Sequence, residues 1–201
     1  MLAGMPFAPG ASAVPTDSLP GLPWDFSKIE AMVEMHIEQG PVLTQEGVGI
    51  GIVDSIFGMR LVEFELTGLG NHAGASPMDG RRDALTAAAA CILLVEKIAG
   101  RAIGHRGKAG TLQRLGGYGA QSRPVATAGK LQVFPNCTNV IPEKVVFSVE
   151  VRYKDDKVIE ELMDEIIAAI LEECEGRQVG MAVREVAHNK AILLPTDMVK
   201  L

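Results

Sequence analysis

Cysteine is scarce in this chain: Cys91, Cys137 and Cys174 are the only three in 201 residues. Their number is odd, no CxxC spacing occurs, and Cys91 and Cys174 fall in apolar helical patterns, which excludes a disulfide framework and suits reduced thiols. Basic charge is also short, with 19 Lys and Arg against 25 Asp and Glu for a net charge of −6. No basic footprint is present to hold nucleic acid or an anionic lipid surface, so an anionic ligand would have to be met by local Arg or Lys. No run approaches the roughly 20 continuous apolar residues that cross a bilayer. Residues 1–21 lack the basic start of a secretory signal, and Pro6, Pro9 and Pro15 break their short apolar runs. These absences point to a cytoplasmic protein that engages neither nucleic acid nor membrane.

What remains is an ordinary globular composition, 47% hydrophobic and 22% charged, enough for one sizeable domain or one domain with pieces of another. Residues 1–23 hold five prolines and almost no charge, so they read as an irregular arm. Ser27 to Met35 carries a short helical pattern or the approach to a strand. Glu34 to Ile37 alternates as a strand end does, which would put His36 where a strand meets a loop. Ile50 to Ile56 and Arg60 to Thr67 are β-rich, and Val62, Phe64 and Leu66 share one face of the second.

Arg82 to Ile98 shows an apolar stripe at three- and four-residue intervals, a helix that Gly100 should close. The Gly-rich, basic stretch 101–123 has no period and reads as a long mobile loop. Lys130 to Phe134 and Lys144 to Tyr153 form a hairpin-like strand pair across the turn-rich 135–142 connection. Asp155 or Asp156 can cap a second helix whose stripe is Val158, Leu162, Ile166, Ile170 and Cys174, with Gly176 at its stop. Val179 to Val186 is a last strand. The order strand, helix, strand, strand, helix, strand predicts an α+β fold: a ferredoxin-like βαββαβ domain, a four-stranded antiparallel sheet with two helices on one face. An uncovered edge in such a module pairs readily with a copy of itself, so a homodimer is expected.

Two histidines lie in segments fixed by glycine and proline, Met35-His36-Ile37-Glu38-Gln39-Gly40-Pro41 and Asn71-His72-Ala73-Gly74-Ala75-Ser76-Pro77-Met78. Such flanks aim an imidazole. Together with Arg81-Arg82-Asp83-Ala84-Leu85 and Pro135-Asn136-Cys137-Thr138-Asn139-Val140-Ile141-Pro142 leading to Glu150-Val151-Arg152, they carry a resemblance. The chain resembles the metal-dependent amidohydrolases that include allantoate amidohydrolase, N-carbamoyl-L-amino-acid hydrolase and β-ureidopropionase, within the aminoacylase and carboxypeptidase-like metallopeptidases. The resemblance runs from Glu34 onward.

It implies a two-domain enzyme in which a catalytic domain binds two divalent metal ions (zinc, manganese, nickel or cobalt) and an inserted smaller domain serves as lid and dimer interface. By resemblance, His36 is a metal ligand and Gln39 a substrate contact; as residues alone, a strand-end histidine and a loop-stabilising amide are the alternatives. His72 matches the lid histidine that stabilises the oxyanion of the attacked carbonyl, usually in the neighbouring subunit. Asn139 and Arg152 match the residues that hold the substrate carboxylate, although Arg152 at a strand end also suits a solvated salt bridge. Glu150, where Asp is commoner, and Ala126-Thr127-Ala128-Gly129 depart from the family pattern beside that clamp.

The remaining metal ligands and the general base of the family have no match here, and His105 and His188 lack any motif. A catalytic zinc takes about three protein ligands, so this chain is expected to hold no metal stably and to be an inactive fragment of an enzyme hydrolysing a ureido or carbamoyl C–N bond of a small carboxylate. The implied layout is an arm (1–23), a piece of catalytic domain (24–58), the lid and dimerisation domain (59–187) and the start of a return to the catalytic domain (188–201). The alternative is a non-catalytic homodimerisation or binding module.

Overall fold

The computed structural model describes residues 28–102 and 123–199. The N-terminal arm and most of the Gly-rich 101–123 stretch, including His105, lie outside the described residues. The chain divides between Gly40 and Pro41 into two compact units, so residues 41–58 fall with the sheet domain and not with the His36 segment.

In the first unit, residues 29–38 form neither helix nor strand, contrary to the helical or strand approach expected over Ser27–Met35 and the strand end over Glu34–Ile37. Alternation alone supplies no ladder, and a strand persists only where a neighbour takes its N–H and C=O groups. Met35 and Ile37 are accordingly exposed.

The second unit opens with a short helix α1 (Val42–Glu46), closed by Gly47 at φ 67°. Of the β-rich run expected over Ile50–Ile56 only β1 (Ser55–Ile56) forms, and it pairs with β6 (Ile192–Leu193). Between them lies the main domain: β2 (Gly58–Thr67), α2 (Ala84–Ala102), β3 (Val125–Phe134), β4 (Lys144–Tyr153), α3 (Asp156–Gly176) and β5 (Gly180–Asn189). A terminal turn α4 (Thr196–Val199) follows. The four long strands make an antiparallel sheet in the order β3-β4-β2-β5, the expected ferredoxin-like arrangement.

Period-two burial decides which face closes. Val62, Phe64 and Leu66 of β2 and Val145, Phe147, Val149 and Val151 of β4 point into one core with Ala84, Ala88, Cys91 and Val95 of α2 and Ile159, Met163, Ile166 and Cys174 of α3. The Phe64 and Phe147 rings stack at its centre, centroids 5.1 Å apart. Cys91 and Cys174 meet across the helix pair, and the hydrogen bond to Cys174, with burial, pushes the Cys91 thiol up.

The opposite face is charged. A row crosses the sheet there, with the Glu63 carboxylate accepting from Arg184 at 2.7 Å and from Lys130 at 3.3 Å. Arg60, on the helix side, ties α3 to β5 by donating to Glu160, Asp164 and Glu185.

Asp155 is the N-cap of α3, accepting from the Lys157 N–H at 3.0 Å. Asp83 does the same for α2, where its Oδ1 takes the N–H groups of Leu85 and Thr86. Gly100 does not end α2, which runs on to Ala102. A glycine stops a helix by taking a left-handed φ, and Gly100 does not take one; inside the helix it costs only about 1 kcal/mol against alanine. Gly176 is the last residue of α3, and the left-handed turn comes two residues later at Gln178, φ 55°.

Candidate active-site surface

After Thr67 the chain leaves the sheet and is pinned at once. The Gly68 N–H donates to Glu143 O and the Leu69 N–H to Arg82 O, each at 2.7 Å. A Cβ on Gly68 would lie 2.1 Å from the Arg82 carbonyl oxygen, so no other residue fits this junction. Residues 71–73 then run antiparallel to 139–141: His72 bridges Val140, the Ala73 N–H donates to Asn139 O at 2.9 Å, and the Ile141 N–H donates to Asn71 O at 2.8 Å. This short ladder brings the backbones of His72 and Asn139, sixty-odd residues apart in sequence, together at the Thr67–Lys144 end of the sheet, with both residues exposed.

The ring of His72 is oriented by its own turn. Its Nδ1 accepts from the N–H groups of Gly74 and Ala75, both at 3.1 Å. A ring nitrogen that accepts cannot carry the proton, so the neutral ring bears it on Nε2. That N–H is a donor on an exposed side chain. The backbone of the turn is held from the other side by Arg81, whose guanidinium donates to the carbonyls of Ala73 (2.7 Å), Ser76 (2.6 Å) and Pro77 (3.1 Å). Gly80, at φ 79°, reverses the chain so that Arg81 faces back onto the turn. Sequence reasoning placed Arg81 in a motif without giving it a task; an arginine just beyond a Gly/Pro-rich loop and just before a helix cap was the available signal.

Arg152 lies elsewhere. On β4 it pairs with Met59 and Val125, whereas Lys144, at the His72 end, pairs with Thr67 and Phe134. An extended strand from 144 to 152 spans roughly 26 Å. The structure therefore brings His72 and Asn139 together and leaves Arg152 at the far end of the same strand. Its exposed guanidinium donates through Nε and Nη2 to the two oxygens of Glu150, on the open face of the sheet, and that contact raises its pKa.

His36 and Gln39 belong to the first unit. The His36 ring hydrogen-bonds Glu34 at 3.0 Å, both side chains largely exposed, and Gln39 takes a left-handed φ of 55°. Among the described residues no group of three or more His, Cys, Asp or Glu side chains could hold a metal ion, so His36 with Glu34 does not make up a catalytic donor set. His188, on β5 opposite Arg60 in register, is engaged with Glu160 at 3.2 Å.

Comparison with known proteins places the chain in a family. The chain is 30% identical over 182 residues to allantoate deiminase 1 of Glycine max, covering 90% of the chain, and 40% identical over 136 residues, 68% of the chain, to the N-carbamoyl-L-amino acid amidohydrolase of Geobacillus stearothermophilus. The crystal structure of a hydantoinase/carbamoylase family amidase from Burkholderia multivorans superposes with a TM-score of 0.69 at 32% identity over 82% of the chain. The chain belongs to the allantoate and N-carbamoyl-amino-acid amidohydrolase family. It spans 38% of the soybean relative, 29% of the Geobacillus one and 36% of the Burkholderia chain. No family model matches it.

Proposed function

We propose that this chain supplies the lid of an amidohydrolase that cleaves a ureido or carbamoyl C–N bond in a small carboxylate such as allantoate or an N-carbamoyl amino acid. The observation that carries the reading is the fixed donor: His72 with its proton on Nε2, exposed beside Asn139 at one end of the sheet. A carbonyl under attack develops negative charge on oxygen, and a donor already aimed at that charge stabilises the transition state more than the ground state. Asn139, on the strand segment that pairs with the His72 segment, offers a carboxamide, and Arg152 a planar fork that meets both oxygens of a carboxylate once Glu150 yields it. His36 and Gln39 are assigned by family resemblance to the metal centre and to the substrate. The described donor set does not fit a metal by itself.

The separation of roughly 26 Å along β4 shapes the reading. A small carboxylate cannot touch His72 and Arg152 of one copy. Two lids related by a two-fold axis can bring the His72 end of one toward the Arg152 end of the other, which makes homodimerisation part of the catalytic apparatus. The exposed apolar residues on both edge strands, Val125 and Leu131 on β3 and Val183 and Val186 on β5, suit such pairing.

The direct test is a chimera in which residues 58–189 replace the lid of a full-length N-carbamoyl-amino-acid amidohydrolase. Turnover should survive the exchange, and His72→Ala in the chimera should lower kcat by about 10²–10³ with little change in KM. An unchanged kcat would remove the oxyanion role.

A further inference from the structure

We propose that Arg81 is a positioning residue: by holding the 73–77 turn through three carbonyls, it keeps two backbone N–H groups on His72 Nδ1 and so fixes the imidazole in the Nε2–H tautomer. The proposal deepens the oxyanion reading and rests on it for its catalytic meaning; the structural claim stands by itself.

The hydrogen bonds that set the tautomer run outward from the ring to Arg81. Nδ1 has one lone pair in the ring plane, and the Gly74 and Ala75 N–H groups both point at it from 3.1 Å. For those two groups to converge, the backbone from His72 to Ser76 must fold tightly, which the Ala75 and Ser76 N–H groups help by donating to His72 O. Folding this way turns the carbonyls of Ala73, Ser76 and Pro77 to the other side of the turn. Three oxygens on one side of a short loop repel one another unless donors meet them. Arg81 supplies those donors, two N–H groups of Nη2 to Ala73 and Ser76 and the single Nε–H shared between Ser76 and Pro77, in the planar geometry only a guanidinium has.

Space is closed too. A Cβ on Gly74 would stand 3.3 Å from the His72 ring carbon Cε1, so the ring and the turn are in contact and move together. Arg81 is set against the turn by Gly80 at φ 79° and by the Asp83 cap two residues later, which fixes the start of α2. Lysine at position 81 would keep the positive charge, but as a point donor it cannot span three carbonyls.

The experiment is long-range ¹H–¹⁵N NMR of the imidazole in the uniformly labelled chain at a pH where the ring is neutral, with His72→Gln used to assign its signals. Wild type should show an unprotonated Nδ1 and a protonated Nε2. Arg81→Lys should shift both ring nitrogens toward the averaged values of a tautomer mixture and speed amide exchange at Gly74 and Ala75 about tenfold. Arg81→Ala should do the same and recover the wild-type pattern on addition of methylguanidinium. A folded Arg81→Lys that keeps the pure Nε2–H pattern and slow exchange would overturn the proposal, as would a wild-type ring protonated on Nδ1. These readouts are independent of turnover: a locked tautomer with an unchanged kcat in the His72→Ala chimera would sink the oxyanion role alone, and a mixed tautomer with a crippled His72→Ala chimera would sink the Arg81 role alone.

Discussion

At the scale of single residues, the His72 loop depends on positions where the backbone leaves no room. Gly68 is the sharpest, because its missing side chain is what lets Thr67 hand the chain to the Arg82 carbonyl. Gly68→Ala should destabilise the domain by about 1–3 kcal/mol, since the added methyl must push a hydrogen-bonded carbonyl away. Denaturant unfolding checks this, and an unchanged midpoint would show that the junction gives way freely. The histidines were legible as residues that matter, since glycine and proline flank them. The tautomer of His72 was not, because it is decided by two N–H groups whose direction depends on how the 73–77 turn folds.

At the scale of elements, the periodic segments were readable and the aperiodic ones were not. The stripes of α2 and α3 and the alternation in β2 and β4 are imposed by one core, so the residues that recur in sequence are the residues that are buried. β3 begins at Val125, earlier than alternation indicated, because the register shift between Thr127 and Lys130 breaks its period. The strand expected around His36 fails for the opposite reason: its pattern is present, but no ladder forms on it among the described residues of its unit. The stacked Phe64–Phe147 pair lies where β2 and β4 meet α2 and α3, so Phe147→Ala should cost about 3–5 kcal/mol, and thermal or denaturant unfolding would register it. A loss under 1 kcal/mol would mean that the sheet and helices do not share one core.

Across the whole molecule, charge on the open sheet face couples the strands to pH. The hydrogen bond from Arg184, with Lys130 adding to it, holds the Glu63 carboxyl below its ordinary range. A group depressed in the fold and ordinary in the unfolded chain contributes stability that is whole above the ordinary carboxylate range and is lost as pH falls through the depressed value. Glu63→Gln should therefore lower stability at neutral pH by about 1 kcal/mol and flatten the decline on acidification below the usual glutamate range. Superimposable acid branches for the two proteins would contradict this. The assembly of the site was the least legible feature of all. His72, Asn139 and Arg152 could be recognised as one set from their motifs, but only the strand register shows that Arg152 lies at one end of β4 while His72 and Asn139 lie in loops beyond its other end.

That separation makes the central claim open to one measurement. In a full-length enzyme of this family carrying the lid, the His72→Ala and Arg152→Ala variants should each be nearly inactive alone. Mixed and allowed to exchange subunits, half of the dimers become heterodimers, each with one site built from an intact Arg152 and the partner's intact His72. Activity should return to about a quarter of wild type. Two dead variants that stay dead after demonstrated subunit exchange would show that both groups serve one copy, and the account of the lid as a shared active-site wall would fall.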